Sequence, residues 1–577
     1  MQVVLKEAVH GGALGLLGPG TVDVPDSLAF ELVATKRATW PGSRPNAWPD
    51  QGGAVTFTAA EDAALTSLVS GAGMAGAVVG DSLAVAGMVV NATQIQYTAR
   101  SPVAWALAMD SNRFTLVLNS GVGGETAGDG GADPYASGGL ARVRALLAPY
   151  NGQLAFVEFH YGTNDLNSQA AEIIFRNIKL LAAEAWAIGA QAIVRTPPPA
   201  EIDATVWNKD DTRRARWGAL CRLIRNWCAV TPRAKCADDA AVLADPTQVT
   251  CIPQSAYAMT TFVHPKARAN QRMAIQRAAI YAAIGGPPKR YPTHSAETWA
   301  FDSTSNNIAP VARCTASGGT ASTGVTGVVS AGLIATRPSG SGVTAVAATV
   351  PRRVQDATAW AAAAATTVGM VRRPTTVDLA KPYLYVATAV AGTPVTGGAE
   401  PTWPTTPGAT VIDNAGANQV TWTCVQVSTD VNERIGFWQA LFITGAGTYE
   451  TMTLVAYFGA GSGGTAGKVG WAVGQTITTE AEVWMQAPSG VIGLWTDVKG
   501  MLNAAGASLA VSGLNLTETA ESDFEQAAFR GVVPTPAAVI QPTMIPGTTA
   551  MYWAANVRLS STGKAILLVD SFSFLLT

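Results

Sequence analysis

The sequence predicts a multidomain chain: an α/β domain with a parallel sheet flanked by helices, followed by a β-sandwich region that carries a small inserted β module. Three observations predict it. Between residues 71 and 287, short apolar runs alternate with stretches of helical periodicity. After 288 that periodicity fades into alternating segments punctuated by Gly, Ser, Thr and Pro. Within this second half, one stretch is set apart by its density of Pro, Gly, Thr and Trp.

Composition agrees with a large modular molecule. A chain of 577 residues exceeds what one core serves. Charged residues make up 14%, below the roughly 25% of ordinary soluble domains, and 58 glycines and 32 prolines supply turns. Side-chain surface is therefore expected to be hidden in β-rich domains or between subunits. The net charge of -2, with no long basic or acidic block, gives no reason to expect nucleic acid or an anionic membrane as a partner. Six cysteines, Cys221, Cys228, Cys236, Cys251, Cys314 and Cys424, lack the paired short spacing of a zinc site and read as buried thiols. The opening "MQVVLKEAVHGGALGLLGPG" lacks a basic cluster followed by an apolar core, and no apolar run reaches the roughly 18 residues that span a bilayer. Neither a secretion signal nor membrane insertion is expected.

Taken in order, residues 1–70 read as an N-terminal module and linker, with the loop-like "WPGSRPNAWPDQGG". The α/β domain covers 71–287. Its candidate strands are "AGAVV" before Ser82, "FTLVL" ending at Leu118, "LAFVEF" ending at Phe159 and "QAIVR" ending at Arg195. Ile174, Ile178 and Leu181 recur at helical spacing, with Glu172, Arg176 and Lys179 expected to face away. Trp217, Leu220, Cys221, Ile224 and Cys228 mark a second apolar helix face, and Pro265 is placed to open a last helix through Ile284. Residues 288–371 and 429–577 read as the two parts of the sandwich, with strands in "YETMTLVAYF", "AEVWMQA", "MYWAANVRL" and "SFSFLLT". The Ala-rich "ATAWAAAAATTVG" is the one helical signal left there. Residues 372–428 form the small module with Trp403 and Trp422. A unit of that size needs aromatics for its own core; stacking on a carbohydrate is the alternative reading of these two.

Ligands of open parallel sheets bind at the carboxyl ends of the strands. Ser82 follows the first strand in "GAVVGDSLAVAG", "NSGVGGET" with Gly121, Gly123 and Gly124 follows the second, and "YGTND" with Asn164 and Asp165 follows the third. "FVHPKARAN" delivers His264 just before the last helix. A Gly-Asp-Ser by itself is equally an ordinary helix cap. A hydroxyl, an unobstructed amide, a carboxamide and an imidazole converging on one rim are the parts of an acyl-transfer site. His160 reads as structural or as a substrate contact, and Asp165 as a brace.

In that order and at those intervals, "VVGDSLA", "LNSGVGGET", "YGTND" and "FVHP" resemble the four blocks of the SGNH (GDSL-type) hydrolase family, over about 71–287. The resemblance implies Ser82 as nucleophile, His264 as base, and an oxyanion hole from the amides of Ser82 and Gly124 and the side chain of Asn164, with Asp81 and Asp165 in support. It implies no metal or organic cofactor. The family usually carries an aspartate three residues before the histidine; here that residue is Thr261, so the orienting acid is missing or comes from elsewhere, with Asp238, Asp239 and Asp245 as upstream candidates.

The stretch "EPTWPTTPG" followed by "VTW" resembles small modules of bacteriophage tail fibres and tailspikes, and the C-terminal region loosely resembles their carbohydrate-binding domains. Together these resemblances imply a tailspike esterase of the virion that removes O-acetyl groups from host capsular or lipopolysaccharide glycan through an acyl-enzyme. They also imply a homotrimer, joined to other tail proteins through its N-terminal region. The alternatives are a degenerate receptor-binding adhesin, motivated by Thr261, and a bacterial carbohydrate esterase with binding modules. Cleavage of a glycan backbone is disfavoured, since no paired carboxylates or β-helix coils stand out.

Overall fold

The computed structural model describes residues 75–85, 100–110 and 113–285 apart from 249, 256, 258 and 261, and residues 313–458 apart from 379, 429–432, 434 and 448–449. It also describes strands within 2–39, 88–98 and 476–576. The chain divides into two compact units, Met1–Val89 with Arg100–Lys289, and Val90–Ala99 with Arg290–Thr577.

The first unit is built on five parallel strands. They are β1 (Ala75–Gly80), β2 (Thr115–Gly121), β3 (Leu154–His160), β4 (Gln191–Arg195) and β5 (Ala234–Ala237), in the order β5-β4-β3-β1-β2. Every neighbouring pair is parallel. The helices are α1 (Ser82–Val85), α2 (Pro102–Met109), α3 (Gly138–Leu147), α4 (Ala171–Ala187), α5 (Asp211–Val230), α6 (Asp239–Leu243) and α7 (Ala267–Ile284).

Alternation along the strands assigns the two faces. Val79, Val157, Phe159, Ala192 and Val194 pack with Ile174, Ile178 and Leu181 of α4 and Leu220, Ile224 and Trp227 of α5. On the other side of β3, Phe156 stacks on Tyr281 of α7 at 4.8 Å between ring centroids and meets Phe114 edge-on. Both faces are covered over β1 and β3, which is why these two strands read as continuous apolar runs. The strand order reverses between β1 and β3, where a doubly wound sheet opens its ligand crevice.

Several expectations need correction. Arg176 and Lys179 do not face water; both are buried on α4. Arg176 donates to the carbonyls of Asp129 and Gly131 at 3.0 and 3.2 Å, and the Lys179 ammonium lies 4.7 Å from the Phe175 ring centroid. Pro265 does not open the last helix, which starts at Ala267. It belongs to a two-residue ladder in which β6 (Met259–Thr260) pairs antiparallel with β7 (His264–Pro265). The Ala-rich segment at 357–369 is not helical. Its amides are drawn across to a neighbouring loop instead: Ala363 donates to the Gly397 carbonyl, Thr366 to the Pro394 carbonyl, and Ala364 to the Thr396 hydroxyl.

The second unit centres on a large, mostly antiparallel sheet. Its strand Ala550–Leu576 pairs with Phe437–Thr444, Glu450–Phe458 and Thr476–Met501. Phe437–Thr444 pairs in turn with Thr344–Pro351. Between these last two strands the chain makes a separate four-stranded antiparallel sheet from Val371–Arg372, Tyr383–Val390, Thr410–Asp413 and Val420–Gln426. One face of that sheet packs Leu384, Val386 and Val425 against Ala348, Val350, Trp438 and Leu568 of the large sheet.

Candidate active site

Ser82 begins α1 directly after β1, at the reversal of strand order. Three contacts fix this sharp turn. The Asp81 amide donates to the His160 carbonyl at 3.0 Å, the Ala84 amide returns to the Asp81 carbonyl, and Asp81 Oδ1 accepts from the Leu83 amide at 2.9 Å. Asp81 is wholly buried, and its Oδ2 has no partner among the described residues. Burial pushes its carboxyl up to about 7, against the opposing pull of Arg195.

His264 comes from the far end of the domain. The Met259–Thr260 ladder and the base of α7 hold it so that Nε2 lies 2.8 Å from Ser82 Oγ. Burial, then Arg100 and Arg195, lower the pKa of this imidazole below the ordinary histidine value. A neutral imidazole at this distance accepts the serine proton, the geometry a general base needs.

The loop after β2 starts beside the nucleophile, with the Val122 amide donating to the Gly80 carbonyl at 2.9 Å. Gly124 is exposed there, in the left-handed region at φ +75, and a side chain at this position would meet nothing within 4 Å. The Asn164 side chain donates one N–H to the Glu125 carbonyl at 2.9 Å, which orients the amide and leaves the second N–H for another acceptor. Asp165 is buried and accepts from the amides of Ala127 and Gly162, tying the second loop to the third. Burial raises its carboxyl to about 7 although the Ala127 amide pulls the other way. It is a brace between loops and touches neither Ser82 nor His264.

Residues that the sequence did not single out complete the scaffold. Glu125 receives Arg142 Nε at 2.7 Å and the Tyr161 hydroxyl at 2.7 Å, and Arg142 also reaches the Ser120 carbonyl at 2.9 Å. The available signal was a carboxylate directly after the glycine turn. Below the site, Arg277 bridges Glu158 at 2.7 Å and both oxygens of Asp239 at 2.5 and 2.9 Å. His160 Nε2 lies 2.8 Å from Glu158 Oε1, so His160 belongs to this buried network rather than to a substrate surface.

None of the three upstream acids orients His264. Asp238 is held by Arg225 and the Thr196 hydroxyl, Asp239 by Arg277 and Arg195, and Asp245 caps its own turn through Thr247. Thr261 lies outside the described residues. The carbohydrate-stacking alternative also fails for Trp422, which is fully buried and donates to Asp413 at 3.2 Å. Trp403 is half-buried, with its ring stacked on Tyr385 at 4.2 Å and its N–H on Glu400 at 2.7 Å. These aromatics are the module's own core.

No family model and no curated protein matches the sequence. Solved structures similar to part of the chain include an aryl esterase from M. smegmatis, 16% identical, which covers 36% of this chain and 99% of that one at a TM-score of 0.28. A carbohydrate acetylesterase family member from Sinorhizobium meliloti is 15% identical, over 36% of this chain and 98% of that one, at 0.27. A GDSL-like lipase from Bacteroides thetaiotaomicron is 17% identical, over 37% and 87%, at 0.26. Scores this low carry no weight for function. The chemistry is read from the contacts around Ser82.

Proposed function

We propose that the α/β domain is a serine esterase, and the observation that carries this reading is the 2.8 Å approach of His264 Nε2 to Ser82 Oγ at the strand-order reversal. Ser82 Oγ attacks the ester carbonyl carbon while its proton passes to His264 Nε2. The amides of Ser82 and Gly124 and the free N–H of Asn164 receive the oxyanion. When the tetrahedral intermediate collapses, His264 returns the proton to the departing alkoxide and the acyl group stays on Ser82. Water, deprotonated by His264, then releases the acid and restores the serine.

The finer reading is removal of O-acetyl groups from host capsular or lipopolysaccharide glycan, by a homotrimeric phage tail protein attached through its N-terminal region. The module resembling tail-fibre segments supports this setting, and a substrate fixed on a cell surface suits an esterase carrying a long β-rich extension. The test is direct. A fluorophosphonate probe should label the wild type at Ser82, and acetylated host glycan should release acetate. Ser82→Ala should lose labelling and at least about a thousandfold in turnover while still binding glycan. Glycan binding with neither labelling nor acetate release would favour the adhesin.

A further inference from the structure

Phe262 occupies a position whose backbone favours glycine. Thr260 pairs with His264, and Met259 with Pro265, so residues 260–264 close a tight hairpin with Phe262 at its tip. Its φ is +66, in the left-handed region where a bulky side chain is an outlier. Glycine would adopt that conformation without steric cost. The strain is held in place by the Glu201 amide, which donates to the Phe262 carbonyl at 2.9 Å. Phe262 is 40% exposed, so the core does not account for it. Observed strain of this kind motivates a search for function.

The surroundings point the same way. Ile202, 55% exposed, follows the residue that bonds Phe262, and Val122, 43% exposed, lies in the loop that carries Gly124. Exposed apolar residues thus sit in the hairpin that delivers His264, in the segment hydrogen-bonded to it, and in the loop of Gly124. Two residues of chain span at most about 7 Å, which keeps the Phe262 backbone close to His264, whose Nε2 lies 2.8 Å from Ser82 Oγ.

We propose that Phe262 is the substrate platform of this site: the apolar C–H face of the sugar ring bearing the ester stacks on its phenyl ring. This rests on the esterase reading. Glucose pentaacetate and ethyl acetate form the same acetyl-Ser82, so the ratio of their kcat/KM values isolates recognition of the alcohol. Phe262→Ala should lower that ratio by about three- to tenfold, chiefly through KM for the sugar ester. Phe262→Tyr should retain the ratio. Phe262→Gly, which removes the strain as well as the ring, should behave as Phe262→Ala. Equal losses on both esters, an unchanged ratio in Phe262→Ala, or a wild-type ratio in Phe262→Gly would overturn the platform. Labelling of Ser82 by the fluorophosphonate shows separately whether the esterase reading stands, and a wild type that hydrolyses neither ester overturns both.

Discussion

Among the described residues, Arg100 and Arg195 act on the charge of His264, and both favour its neutral form, as does burial. The imidazole therefore stays an acceptor at pH values where an ordinary histidine is already protonated. The expected kcat/KM profile falls on the acid side through a point below the usual histidine value near 6.5. Arg100→Gln, by removing one positive charge, should move that limb to higher pH in a simple pH series with a neutral ester. Asp81 shows the reverse case, a carboxyl raised from 3.8 to about 7 mainly by burial. The native state then binds the proton more tightly than the unfolded chain, so this group's contribution to stability is lost as pH rises from about 4 to 7. Asp81→Asn keeps an oxygen for the Leu83 amide and cannot ionise. Its gain in melting temperature over the wild type should therefore be larger at pH 8 than at pH 5; an equal gain at both would show that Asp81 is not raised.

At the level of elements, the turn after β2 separates glycines required by packing from those that are not. A Cβ on Gly121 would lie 2.4 Å from the Val85 amide nitrogen, whereas one on Gly123 would meet nothing within 4 Å. Gly121→Ala must displace α1, and the nucleophile with it. It should cost roughly 2–4 kcal/mol in denaturant unfolding and most of the activity, while Gly123→Ala should stay within about 0.5 kcal/mol. The same scale explains what could be read in advance. The ends of β1 and β3 were legible to within a residue because buried parallel strands are unbroken apolar runs closed by Gly or polar residues, whereas β2 runs three residues past Leu118, through Asn119, Ser120 and Gly121, where the apolar run has already stopped. β5, with the sequence Ala-Lys-Cys-Ala, is short and half polar and offered no such run. Arg176 and Lys179 followed helical spacing perfectly, yet both are buried: the carbonyls that hold Arg176 come from Asp129 and Gly131 elsewhere in the fold, while the ring beside Lys179 is Phe175 of the same helix. The pairing of Ser82 with His264 was legible as a set of parts. The committed partners of Asp238, Asp239 and Asp245 were not, because ion pairing across a fold leaves no local pattern.

Over the whole molecule, each unit buries a cluster of charges. In the second unit, Arg352 reaches Asp570 at 2.8 Å, Glu482 at 2.8 Å and Glu433 at 2.8 Å, and its guanidinium carbon lies 3.9 Å from the Trp438 ring centroid. Burial opposes ionisation of Asp570, but Arg352 and Arg313 override it and hold the carboxyl below its ordinary value. Asp570→Ala would leave two buried guanidinium groups short of a counter-charge, at a cost of about 3–5 kcal/mol. Calorimetry should show that loss in the unfolding of the β-rich unit, and ethyl acetate hydrolysis at 25 °C should persist. Retained thermal stability in this variant would contradict the network. The four-stranded insert adds a different consequence. The chain departs after Pro351 and returns at Phe437, residues that face each other across the same ladder. Its entrance and exit therefore share one doorway, a geometry that lets a different segment be joined at the same two points. Any replacement must still bring greasy residues of its own to cover Val350, Trp438 and Leu568, which fixes what such a segment has to look like underneath while leaving its outer face open to diversify.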